Sequence, residues 1–143
     1  MPDWSGPVWH YILHEGLPNT LRVAAIALVA STLIGVVMGT LLTIDFRPSR
    51  WLIRGYVEIF RGLPILVTVF IVYFGLPELS PELRFEALDA TAIALTLWGS
   101  AQVAEATRGA VQSIPREQRE AAAALGFGWI GSHVYVILPQ GLR

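Results

Sequence analysis

The chain has 143 residues, 54% of them hydrophobic and only 15% charged, with a formal net charge of −1 and no cysteine. All ten basic residues are Arg; without Lys there is no Walker A phosphate loop, and without Cys there are no disulfides, thiolate metal sites or Cys nucleophiles. The near-neutral charge disfavours a nucleic-acid surface, and a charged share well below the usual quarter or so, with apolar residues gathered in blocks, predicts an all-α, multi-pass membrane protein forming one domain over 1–143.

The N-terminal segment carries Trp4, Trp9, Tyr11, Ile12 and Leu13, the pattern of an interfacial helix on the outer membrane face. Asp3 without an early basic residue, and a first long apolar run starting only at Val23, predict no cleavable signal peptide, so the first span is expected to remain in the mature protein. Residues 23–44 (VAAIALVASTLIGVVMGTLLTI) are 22 uncharged residues. As a helix they cover about 33 Å, enough for a hydrocarbon core of about 30 Å. The first span is placed at 21–45. Within it Ala27, Ser31, Gly35, Gly39 and Thr43 recur every four residues, and small residues at that spacing predict a face for close helix packing.

A second span is expected at 54–77. Its uncharged part, 62–77, is short for a crossing, so the helix is extended back, leaving Arg54 and the ionisable pair Glu58 and Arg61 near the interface. A third span is expected at 87–111, with Glu105 and Arg108 three apart on one face near its end. The loop at 45–61 holds Arg47, Arg50, Arg54 and Arg61 against Asp45 and Glu58, whereas the loop at 78–89 holds Arg84 against Glu78, Glu82, Glu86 and Asp89. Basic loops stay inside, which puts the N-terminus outside and everything after Val111 in the cytoplasm. There Ser113 is expected to cap a helix with Pro115 and Glu117 in its first turn. Ala121 to Leu125 favour helix, Gly126 and Gly128 stop or bend it, and a second helix runs toward Pro139.

Glu120-Ala121-Ala122, then Gly126, then Val136-Ile137-Leu138-Pro139 resembles the EAA loop of bacterial ABC-importer permeases. The likeness extends to Glu58, Arg61, Gly62 and Pro64, to Tyr73-Phe74-Gly75-Leu76-Pro77, and to Glu105, Arg108 and Gly109 with Gln112-Ser113-Ile114, and it starts near Gly16 and Thr20-Leu21. On these residues the chain resembles the polar amino-acid (histidine/glutamine-type) permease family. That family has five spans, so the resemblance implies a C-terminally truncated member. It also implies a translocation subunit, not an enzyme, whose ATP is hydrolysed by a separate ABC ATPase. The further implied partners are a second permease subunit (identical or different), an extracytoplasmic solute-binding protein and membrane lipid.

Glu120, Ala121, Ala122, Gly126, Val136, Leu138 and Pro139 are the implied ATPase-coupling residues, within a helix-turn-helix over 113–139. Two departures stand out: no Lys or Arg lies between Arg119 and Arg143, and Glu117 stands where the family usually has Gly. No residue is assigned to the solute, no cofactor is expected, and His10 with His14, four apart, lack a third ligand for a metal. The alternatives carried beside this reading are a non-transporting membrane anchor or regulatory partner, and an inactive truncated permease.

Overall fold

The computed structural model describes residues 5–44 and 47–141, and it is helical throughout that range apart from turns. The expectations that rest on Asp3, Trp4, Asp45 and Arg143 lie outside the described residues. Helix α1 (Ser5–Tyr11) passes through a π-helical turn at Ile12–Gly16 into α2 (Leu17–Leu41). Gly6–Leu41 is thus one helix of 36 residues, about 54 Å long at 1.5 Å per residue. The aromatic N-terminal turns are the N-terminal extension of this helix and not a separate surface helix.

Helix α3 (Arg47–Gly62) ends where Leu63 N–H bonds the Ile59 carbonyl at 3.1 Å. Pro64 then takes an extended backbone, φ −58° and ψ 137°. Pro has no N–H and keeps the residue before it out of the helical region, so the chain turns here. Helices α4 (Ile65–Phe70) and α5 (Leu76–Leu79), joined by a π-helical turn at Ile71–Gly75, leave α3 at 108°. The last long helix is α6 (Ala87–Ser113), followed by α7 (Arg116–Ala124), α8 (Trp129–Ser132), a π-helical turn at His133–Ile137 and α9 (Leu138–Gly141).

The three-span architecture expected from sequence, as part of a five-span fold, is not what these residues form. One helix, Gly6–Leu41, is long and apolar enough to cross a membrane, and the count reaches two only if the bent pair Arg47–Gly62 and Ile65–Leu79 is taken as a single span. The expected second span at 54–77 is broken by Gly62-Leu63-Pro64. The expected third span at 87–111 does form one helix, but Asp89, Thr96, Ser100, Gln102 and Glu105 along it leave it short of the apolar content a crossing needs. The reason is visible in the packing: α6 is the centre of the molecule, and its small and polar residues face other helices.

Two clusters close on α6. Leu42, Val57 and Ala104 bury with Met38, Ile53 and Tyr56, joining α2, α3 and α6. Val72, Ala90 and Ala94 bury with Val69, Leu76, Phe85, Ile93 and Leu97, joining the α4–α5 arm. The most extensive contact is α2 against α6. The two helices run parallel. A Cβ on Gly99 would meet Ser31 at 3.0 Å, one on Gly35 would meet Val103 Cβ at 2.5 Å, and one on Gly39 would meet Thr107 Cβ at 2.6 Å and the Ala104 carbonyl oxygen. These separations leave no room for a side chain, and backbone approaches backbone as at other small-residue membrane-helix contacts. Ala27, Ser31, Gly35 and Gly39 lie buried on this face of α2. Thr43 lies just past the helix end, its hydroxyl donating to the Thr40 carbonyl at 2.7 Å.

Tyr56 ties α3 to α6, its phenol donating to the Leu97 carbonyl at 2.9 Å and sitting 2.8 Å from the Ser100 hydroxyl.

Gly35→Leu and Gly39→Leu should each destabilise the fold by about 1–3 kcal/mol or more through overpacking, while Val37→Leu on the exposed face should be nearly neutral. Thermal unfolding in detergent reads the difference, and equal melting temperatures in all three variants would refute the packing role. Tyr56→Phe should lower stability by about 1 kcal/mol, the worth of a typical buried hydrogen bond; a melting temperature identical to wild type would show that the phenol contributes nothing to the α3–α6 join.

Candidate functional site

Because α2 and α6 run parallel, their C-terminal ends meet at one end of the molecule, and the charged residues singled out by the sequence gather there. A cleft of about 360 Å³ between α3 and α6 is lined by Arg50, Arg54, Glu58, Arg61, Glu105 and Arg108, among others. Arg108 grips Glu105 with two hydrogen bonds, Nε to Oε2 at 3.0 Å and Nη2 to Oε1 at 2.5 Å, and its Nη1 donates to Gln112 at 2.6 Å. This is the i, i+3 pair expected on a helix face.

The pairing of Glu58 differs from expectation. Its carboxylate meets Arg54 at 3.4 Å, one turn earlier, and Arg61 instead reaches across to Glu105 on α6 at 3.9 Å. The Arg54–Glu58 pair is largely exposed and contributes little to stability. Arg61, Glu105 and Arg108 form a two-helix arrangement in which one carboxylate sits between two guanidiniums. Arg50 is turned back on the end of α2, donating to the Ile44 carbonyl at 3.2 and 2.6 Å. Gly62 and Pro64 stand at the bend, and Gly109 faces open space on α6.

The second element at this end is the hairpin after α6. Ser113 does not cap it: its hydroxyl donates back to the Ala110 carbonyl at 2.8 Å, and Pro115 holds the position before α7. Arg119 secures the join, Nη2 donating to the Val111 carbonyl in the last turn of α6 at 2.7 Å. A basic side chain bonding terminal carbonyls also opposes the partial negative charge of that helix end.

Helix α7 stops at Gly126, whose φ of +84° is the single positive value among the described residues. Phe127 N–H bonds the Ala122 carbonyl at 3.1 Å and Gly126 N–H bonds the Ala123 carbonyl at 2.9 Å. This pair of bonds is a Schellman motif, with glycine at the one position that requires a left-handed backbone. Gly126 is therefore explained locally by the turn it makes.

Beyond the turn, Phe127 lies against Gly131, His133 Nδ1 sits 2.9 Å from the Trp129 carbonyl, and the Trp129 and His133 rings stack at 4.0 Å. Ile137 is buried and α9 rests on α6, where a Cβ on Gly141 would meet the Ala110 carbonyl at 3.4 Å. Of the residues expected at the coupling contact, Ala122 is buried toward the body of the protein, Val136 and Leu138 are half-buried, and Glu120, Ala121, Gly126 and Pro139 are exposed. Leu125, Ile130 and Tyr135 extend that exposed surface with apolar side chains.

At the opposite end, the rings of His10 and His14 stack at 4.4 Å.

Sequence reasoning passed over Tyr56, Gly99, Ser100, Ala101 and Thr107. The last four had a signal in their small size along α6. Tyr56 had none, because its partner lies 44 positions away.

Residues 31–143 match the family described as binding-protein-dependent transport system inner membrane component. The chain is 38% identical over 129 residues to the probable glutamine ABC transporter permease protein GlnM of Bacillus subtilis (strain 168), covering 90% of this chain and 59% of that protein. It is 36% identical over 143 residues to the glutamine transport system permease protein GlnP of Escherichia coli (strain K12), covering 99% of this chain and 65% of that one. Among solved structures, a chain in the crystal structure of an amino acid ABC transporter with histidines superposes with a TM-score of 0.80 at 29% identity, covering 99% of this chain and 65% of that chain. The chain thus spans about three fifths of the length of these relatives. With a family match that runs from the middle of α2 through the terminal hairpin, the chain belongs to the inner-membrane components of binding-protein-dependent transport systems.

Proposed function

We propose that the chain is the permease subunit of an ATP-driven importer for a polar amino acid, seated in the cell (inner) membrane and coupled through residues 113–139 to a separate ABC ATPase. Its other partners in this reading are a second permease subunit and an extracytoplasmic solute-binding protein that delivers the solute. The amino-acid class rests on relatives that carry glutamine transport in their names. Parallel packing of α2 and α6 supports the orientation, because it sets the N-terminal turns and the hairpin at opposite ends of the pair. With α2 crossing the membrane, the N-terminus faces outside and the hairpin faces the cytoplasm, where ATP is hydrolysed.

The observation that carries the coupling role is a short helix fixed at both ends. Arg119 fastens α7 to the last turn of α6, and the Schellman turn at Gly126 stops it sharply. Between these points Glu120, Ala121 and Ala124 are exposed, followed by Leu125. Small side chains permit a close approach by a partner, and a helix that cannot fray transmits displacement instead of absorbing it. When the ATPase subunits close, α7 moves with them and carries α6.

Gly126→Leu forces a side chain into a left-handed backbone at a cost of about 1–2 kcal/mol, whereas Gly126→Asn tolerates that backbone. The expected result is that the ATPase co-purifies poorly with the Leu variant and nearly normally with the Asn variant, while membrane insertion of both is unchanged. Glu120→Ala and Ala121→Leu should also weaken co-purification. ATPase recovery and solute uptake at wild-type levels in Gly126→Leu would defeat the coupling assignment.

A further inference from the structure

The apolar side of α3 belongs to none of the contacts described so far, and Arg50, Arg54 and Arg61 beside it line the cleft. At about 100° per residue, Trp51, Leu52, Gly55 and Ile59 share one arc of about 100°, and Arg47, Arg50, Arg54 and Arg61 share an adjoining arc of about 60°. The remaining arc, with Val57 and Tyr56, packs on α6. The apolar arc is uncovered: Trp51 is 85% exposed, Leu52 75% and Ile59 59%.

We propose that α3 lies along the inner membrane surface and that its arginine row, with the cleft beside it, holds the phosphate of an anionic phospholipid. The inference rests on membership in an inner-membrane family and goes beyond the transport reading. Its support is positional as well as chemical. Helix α3 starts six residues after α2, which among the described residues is the one helix able to cross a membrane alone, and the 108° bend at Gly62–Pro64 frees it from the direction of the arm that follows. An apolar strip flanked by a basic row is the pattern of a helix buried shallowly at the headgroup boundary. Aromatic and aliphatic side chains enter the acyl region there, and guanidiniums reach the phosphates.

Charge favours a lipid over a neutral protein surface. The 45–61 segment together with Glu105 and Arg108 carries five Arg against Asp45, Glu58 and Glu105, an excess of two positive charges even with every carboxylate counted. Guanidinium offers paired donors that match phosphate oxygens. The cleft of about 360 Å³ is the size of a small ligand site.

The test uses the whole chain reconstituted in nanodiscs of phosphatidylcholine with about 30% phosphatidylglycerol, released into mild detergent and examined by native mass spectrometry. Phosphatidylglycerol should be retained well above its share of the mixture. Arg47→Gln with Arg54→Gln should cut that retention roughly thirtyfold, as expected for two cations removed from a membrane surface, while Arg116→Gln on the distant hairpin should not. Resistance to alkaline carbonate extraction reports membrane insertion separately, so loss of lipid preference and loss of the family reading are told apart.

A second measurement needs no arginine variant: Trp51→Phe should remove much of the tryptophan quenching caused by lipids brominated close to the headgroups. Equal retention of the two lipids, unchanged retention in the double variant, or no change in quenching would overturn the proposal. Displacement of phosphatidylglycerol by millimolar inorganic phosphate would overturn it too, assigning the cleft to a free anion.

Discussion

The contact between α2 and α6 governs the rest of the structure. Three glycines, two on one helix and one on the other, remove the side chains that would hold the backbones apart, and Ser31, Val103 and Thr107 occupy the space gained. Once α6 is fixed this way, its other faces become the surface on which α3 and the α4–α5 arm collect. The helix is long without being strongly apolar because it is enclosed by protein over much of its length. In a membrane setting there is little hydrophobic drive between helices, so close van der Waals contact and interhelical hydrogen bonds carry the association. The bond from the Tyr56 phenol of α3 to the Leu97 carbonyl of α6 is one of these.

Several features were legible in the sequence because local rules fix them. The first long helix follows from its uninterrupted apolar run. The α7 stop follows from Gly126, whose left-handed backbone few other residues adopt. The Glu105–Arg108 pair follows from helical spacing. What went wrong needed tertiary information. A hydropathy reading joined 54–77 into one span because the apolar residues on both sides of Gly62-Leu63-Pro64 look continuous, and the weight of Pro64 in turning the chain was underrated. The same reading took 87–111 as a span by length, although Asp89, Ser100, Gln102 and Glu105 already marked it as a helix with protein neighbours.

The charged end was half legible. Sequence spacing put Glu58 with Arg61, whereas the geometry pairs Glu58 with Arg54 and sends Arg61 across to Glu105. Both partners of Glu58 sit on its own helix, so spacing alone had no way to choose between i+3 and i−4. The crossing pair depends on how α3 lies against α6, and that is set by Val57 and Tyr56, residues with no motif of their own. Ser113 shows the same limit: its side chain turns back into α6 and leaves the start of α7 to Pro115.

The parallel run of α2 and α6 has a mechanical side. The glycine contacts along it pair a residue with one 65 or 68 positions later, so the two helices are keyed like a toothed rail, and sliding one past the other drives Val103 or Thr107 into backbone. A load applied along α6 from its hairpin end therefore meets high shear stiffness. The pair tilts or translates as one rod, and displacement imposed at the hairpin emerges almost undiminished some 40 Å away, near Ala87, at 1.5 Å for each residue of α6.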